Sequence, residues 1–166
     1  MLQPVRRRTW APRGQTPIHY SWDRRDRLSV VAAVSRAPRR RRFGVYFRIH
    51  NHNITGDDLV AFLGYLRRHL RRKLLLVWDR WSVHRAAAPR LEQRYGRAIT
   101  FEWLPPYAPD LNPAEQVWNH AKYVELANFI PHDVADLEAA VADSIQLQHY
   151  NAPLVASFFR LAQLEC

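Results

Sequence analysis

Four side chains stand out for the chemistry they could do: Asp79, Glu115, Asp110 and His84. Asp79 directly follows the apolar run LLLVW. Ligand and metal sites in layered sheets gather at the carboxyl ends of strands, so an acid placed there is a candidate metal ligand. A turn-capping aspartate would occupy the same place. Glu115 falls in the first turn of an expected helix, after a proline-stiffened loop. It is a second candidate ligand, and stabilisation of the helix dipole is its plain alternative. Asp110 is a competing carboxylate in that loop, where an Asx-type turn would also suit it. His84 could orient a carboxylate or touch a phosphate, or simply begin a helix.

The elements that must hold these residues are legible as patterns. Residues 28–34 (LSVVAAV) and 43–49 (FGVYFRI) are short β-branched and apolar runs, hence strands. Between them RAPRRRR marks a turn, so the pair reads as a hairpin with a strongly basic tip, Arg39, Arg40, Arg41 and Arg42. Leu59, Phe62, Leu63, Leu66 and Leu70 share one face of a helix over 55–70, which Thr55 and Asp58 open with a capping box. Gly64 in its middle is expected to cost about 1 kcal/mol relative to alanine. The arginines at its end suit the helix dipole. LLLVW has no polar alternation and is expected to be a strand covered on both faces. A helix over 83–95 contains Pro89, a point of kinking or restart. Alternation over 99–103 gives a fourth strand. Asn112 and Pro113 read as the cap and first residue of the helix that carries Glu115. Helices over about 132–148 and 153–164 follow. The order predicts an α/β or mixed α+β layered fold.

The 166 residues are the length of one domain. Lys and Arg number 25 against 15 Asp and Glu, a formal charge of +10, so a polyanion is the natural partner. A merely solvated basic surface is the alternative. The lone cysteine, Cys166, excludes an internal disulfide and a cysteine-zinc cluster, and agrees with a reducing cytoplasm. The apolar runs are too short for a membrane span, and the basic first residues are not followed by the apolar stretch of a secretory signal.

LLLVWDRWSVHR, followed by FEWLPPYAPDLNPAEQVWNHAK, resembles the DDE transposases of bacterial insertion sequences, relatives of the mariner-like elements. TWAPRGQTP resembles the same family, and PPYAPDLNPAEQVW is its most specific signal. The resemblance runs from about Val5 to at least Lys122. It implies a ribonuclease H-like fold, a mixed sheet flanked by helices, and a single catalytic domain over 1–166. Asp79 then matches the second catalytic carboxylate and Glu115 the third; the separation between positions 79 and 115 is of the size this family uses. The implied cofactor is a pair of Mg²⁺ or Mn²⁺ ions, which want oxygen ligands and clamp the attacking and leaving oxygens of an in-line phosphoryl displacement. The implied partner is double-stranded DNA, at the element ends and the target. Arg39 to Arg42, Arg80, His84 and Lys122 are the candidate DNA contacts. A homodimer and a bacterial, nucleoid-associated location also follow from the resemblance.

The chain departs from the family pattern in three ways. The family's first aspartate lies on a central strand just upstream of the matching segment, where this sequence has only Met1 to Pro4. The chain is therefore expected to be N-terminally truncated, to lack that strand and the helix-turn-helix domain, and to be less stable and prone to associate. Asp23 and Asp26 lie on the wrong side of TWAPRGQTP to substitute. Arg80 stands where many relatives carry a small polar residue, and a cation beside Asp79 would compete with metal. Two other functions compete with the enzyme. One is a non-catalytic DNA-binding remnant that uses the arginine run with Trp10, Trp22 and Trp81. The other is a nuclease for RNA–DNA hybrids, against which the proline-rich loop argues.

Overall fold

The computed structural model describes residues 7, 8, 10–15, 18, 27–39 and 42–164. Asp23, Asp26, Trp22, Arg40, Arg41 and Cys166 lie outside that set. The basic hairpin forms as its pattern predicts. β1 (Ser29–Arg36) pairs antiparallel with β2 (Phe43–His50), from Ser29 opposite His50 to Arg36 opposite Phe43. The Ala37 N–H donates to the Arg42 carbonyl at 2.8 Å and closes the turn. β3 (Leu74–Trp78) and β4 (Ile99–Trp103) run parallel, from Leu74 beside Ile99 to Trp78 beside Trp103. Parallel pairing needs a crossover, and α2 (Ser82–Tyr95) with the 3₁₀ turn Gly96–Ala98 supplies it. Among the described residues the strands form two separate two-stranded ribbons, not one continuous sheet.

α1 (Gly56–Leu70) joins the ribbons. Its start is the expected capping box: the Thr55 hydroxyl accepts from the Asp58 N–H, and Asp58 accepts from the Thr55 N–H. These bonds from Thr55, side chain first, hold the Asp58 carboxyl down at about 2. Leu59, Phe62, Leu63 and Leu66 pack with Val31 of β1, Trp78 of β3, Ile99 of β4 and Ala87 and Leu91 of α2 in one core. The other face of the hairpin carries Val45, which packs with Val117 of α3 (Pro113–His120), Val141 and Ile145 of α4 (Val134–Tyr150), and Val155 and Phe158 of α5 (Ala152–Leu161). Each strand of the hairpin feeds both cores by strict alternation: Val31 and Ala33 face α1, while Val30 and Val34 face the C-terminal helices.

One expectation needs correcting. LLLVW is not covered on both faces. Leu74, Leu76 and Trp78 turn inward, but Leu75 is 64% and Val77 39% exposed. A continuous apolar run reads the same whether one side or two are covered, so the pattern alone could not separate the cases. Of the two outcomes open at Pro89, α2 does not restart there: it is one helix from Ser82 to Tyr95.

Gly64 is more than a tolerated weak point. A Cβ built on it would collide with the Tyr95 hydroxyl, so the glycine makes room on α1 for the end of that side chain. Gly64→Ala is therefore expected to lower the melting temperature, although it improves helix propensity by about 1 kcal/mol. Overpacking of this kind costs about 1–3 kcal/mol. Tyr95→Phe removes the colliding oxygen and should recover most of the loss in the double variant. Thermal unfolding of the four proteins in that cycle checks the prediction.

Candidate active site

β3 ends at Trp78 and delivers Asp79 to the rim of its ribbon. The Asp79 side chain is 44% exposed. Its Oδ1 accepts from the Trp81 N–H at 2.9 Å, which makes it the turn aspartate of the plain reading, and also lies 2.7 Å from His84 Nδ1. Both bonds land on one oxygen. Among the described residues, Oδ2 is left open. His84 Nδ1 also faces the Asp79 carbonyl at 3.3 Å. Two oxygens around one ring nitrogen fix that nitrogen as the donor. His84 therefore does what it could do, orienting a carboxylate. Its ring is braced against Trp78, stacked at 4.8 Å, and Trp81 meets it edge-on at 5.4 Å. Trp78 is itself stacked on Phe101 and Trp103 of β4.

Glu115 arrives from the other direction. The Leu104 N–H donates to the Trp78 carbonyl at 2.9 Å, carrying the β3–β4 ladder one step past the strands before the proline-rich loop departs. The 3₁₀ turn Pro109–Leu111 follows, and the Asn112 side chain then accepts from the Ala114 N–H at 3.1 Å. Pro113 is the first helical residue, and the Glu115 N–H donates to the Asn112 carbonyl at 3.0 Å. Glu115 is half-buried, and its carboxyl is pushed above the ordinary glutamate range. Burial is the larger cause, and the charge of Asp79 the second. Asp79 is thus close enough in space to oppose the ionisation of Glu115.

That opposition has a measurable consequence. A carboxyl raised in the folded state is bound to a proton over a window in which the unfolded chain has lost it. Its contribution to stability is present below the unfolded value, near 4.5, and is lost as pH rises through the folded one. Glu115→Gln removes the penalty. At neutral pH it is expected to unfold at a higher temperature than the parent, with the gain vanishing as the solution is acidified below about 4.5. Melting curves across pH check this; a variant less stable at neutral pH would contradict it.

The remaining candidates are scattered. Arg80 does not contest Asp79: its Nε donates to the Leu104 carbonyl at 3.3 Å. Asp110 is exposed on the Pro109–Leu111 turn and makes no hydrogen bond or ion pair among the described residues. Arg39 and Arg42 are exposed at the hairpin tip. Lys122 sits in a π turn, Ala121–Glu125, with its Nζ 5.3 Å from the Tyr123 ring centroid. Trp10 is 99% and Trp81 48% exposed. Sequence reasoning missed two groupings. Arg48, Arg67, Arg68 and Arg94 converge with Tyr65 and Tyr95 on one pocket, where Arg67 stands 5.3 Å over the Tyr95 ring. Separately, His50, His52 and Asp58 lie close enough together to hold a metal ion.

The fold is the ribonuclease H-like one. A chain of the crystal structure of the Mos1 strand transfer complex matches it with a TM-score of 0.54 at 17% identity, covering 98% of this chain. That match spans 50% of the Mos1 chain, so the present chain corresponds to half of its length. The family follows from the sequence: the model of the DDE superfamily endonucleases matches residues 1–137, and the chain belongs to that family. No curated protein matches it. Among the described residues, no helix is long and apolar enough to cross a membrane.

Proposed function

We infer that residues 1–166 are the catalytic domain of a transposase that cuts and joins DNA strands by metal-dependent phosphodiester displacement. The observation that carries this reading is the raised carboxyl of Glu115 beside the charge of Asp79. A half-buried acid raised by the charge of a second acid has the electrostatics of a site completed by a cation. Their donor set is carboxylate oxygen, which suits Mg²⁺ or Mn²⁺. Bound between them, such ions would supply activation of the attacking hydroxyl and neutralisation of the leaving oxygen. The chain's own residues do the positioning. Trp81 and His84 fix Oδ1 of Asp79 and leave Oδ2 for a ligand. Asn112 and Pro113 set where α3 starts, and so where Glu115 points. No covalent intermediate on the protein is required.

A third acid, matching the family's first aspartate, belongs to this proposal. One observation supports it: among the described residues the strands fall into two unjoined ribbons, short of one continuous sheet. The proposed partner is duplex DNA at the ends of a bacterial insertion sequence, held against Arg39, Arg42 and the Arg48–Arg94 pocket, with a homodimer as the assembly. A reading as a DNA-binding remnant has one observation in its favour, the prior engagement of Asp79 Oδ1 by His84 and Trp81. Metal-dependent nicking of element-end DNA, with and without Asp79 and Glu115, decides between them.

A further inference from the structure

A second set of ligating side chains takes no part in the acidic pair. β2 ends at His50, the following loop carries His52, and Asp58 lies in the first turn of α1. One ligating atom from each falls within 4.8 Å of the others. His52 Nε2 is 3.2 Å from Asp58 Oδ2, and His50 Nδ1 is 3.8 Å from Asp58 Oδ1. The two imidazoles meet edge to face at 4.9 Å.

Hydrogen bonding leaves this group unfinished. The His50 side chain is 11% exposed, and its Nε2 is buried with no hydrogen-bond partner among the described residues. Its Nδ1 stands beyond hydrogen-bond length from Asp58. His52 Nδ1 faces the Asn51 side-chain oxygen at 3.3 Å, which favours a proton on that nitrogen and turns the Nε2 lone pair toward the Asp58 carboxylate. A lone pair facing a carboxylate needs a cation. A proton on Nε2 would answer that one contact alone; a metal ion would engage His52 Nε2, Asp58 and His50 Nδ1 together, with His50 Nε2 carrying that ring's proton. Tetrahedral zinc, with bonds of about 2.0–2.2 Å to nitrogen and oxygen, sets its ligands roughly 3.3–3.5 Å apart. Each imidazole lies within a few tenths of an ångström of that spacing from its own Asp58 oxygen, His52 Nε2 at 3.2 Å from Oδ2 and His50 Nδ1 at 3.8 Å from Oδ1. Thr55, which donates to Asp58 Oδ2 from N–H and hydroxyl at 2.8 and 2.7 Å, orients the carboxylate as outer partners of metal ligands do.

We propose that His50, His52 and Asp58 form a three-ligand site for a divalent transition ion of the zinc class, which clips the end of β2 to the start of α1. Two nitrogens and one oxygen select such ions over Mg²⁺. The His52 side chain, 53% exposed, opens the fourth position to water. The site is distinct from Asp79 and Glu115 in both residues and donor chemistry.

The test is calorimetric titration of Zn²⁺ into the full 166-residue chain, with excess Mg²⁺ present to occupy oxygen-only sites. One equivalent of zinc should bind. His52→Ala, at a largely exposed position that leaves the capping box intact, should weaken binding at least about tenfold, the lower end of what loss of even an outer partner costs. His50→Gln should do the same, with circular dichroism confirming that it folds. Asp79→Ala should bind as the parent does. Absence of stoichiometric zinc binding, unchanged affinity in His52→Ala, or loss of binding in Asp79→Ala would each overturn the proposal.

Discussion

Asp79→Ala and Glu115→Ala should each reduce Mg²⁺-dependent nicking of element-end DNA by at least about a thousandfold, in protein that carries the proposed third acid. The size follows from the role. A carboxylate that helps hold a catalytic ion forfeits several kcal/mol of transition-state stabilisation when removed, and each 1.36 kcal/mol is a factor of about ten. The two variants part company in a second measurement. Loss of Glu115 relieves a half-buried charge opposed by Asp79, so the protein should gain stability as it loses activity. A merely structural glutamate would lose both. Asp79 instead anchors the Trp81 N–H and the His84 ring, so its alanine variant should be less stable as well as inactive. DNA binding at low salt should survive in both. Nicking that persists in either variant would end the assignment of a metal site to this pair.

The second large effect concerns binding alone. A chain with a net charge of +10 that neutralises several phosphates releases their counterions. Affinity for duplex DNA should then fall by about three orders of magnitude between roughly 50 and 200 mM salt, as for six or more phosphate contacts. Replacing Arg67 and Arg68 with alanine should flatten the slope of log affinity against log salt by up to about two, if the pocket they share with Arg48 and Arg94 carries phosphate. Substituting Arg39 and Arg42 at the hairpin tip tests the other basic surface in the same way. A slope near zero in the parent would remove DNA as the partner and both readings with it.

How much of this was legible in the sequence depends on how local each feature is. Thr55 with Asp58, and Asn112 with Pro113, are caps written within four residues, and both formed as read. The acid pair was legible only through resemblance, since nothing in the residues between positions 79 and 115 says that a strand end and a helix start will meet. The arginine pocket was beyond reach. Arg48 comes from β2, Arg67 and Arg68 from α1 and Arg94 from α2, and three amphipathic elements do not announce which way their charged edges converge. The arginines of α1 had a sufficient explanation in the helix dipole, which concealed a shared one. The histidine cluster was overlooked for a similar reason. His50, His52 and Asp58 lie within nine positions, but a cap is a complete local explanation of Asp58 and hides any second role. The π turn at Ala121–Glu125 has no pattern that separates it from the α-helix it extends.

The bare outer side of β3 ties solution behaviour to ionic strength. Leu75 and Val77 give neighbouring molecules an apolar strip on which to stick, and like charge is the force that keeps those strips apart. That repulsion has a range of about 10 Å at 0.1 M salt and shrinks as salt rises. Salt high enough to strip the protein from the DNA proposed as its partner would therefore also remove its colloidal protection, and the purest preparation would be the one nearest to precipitating.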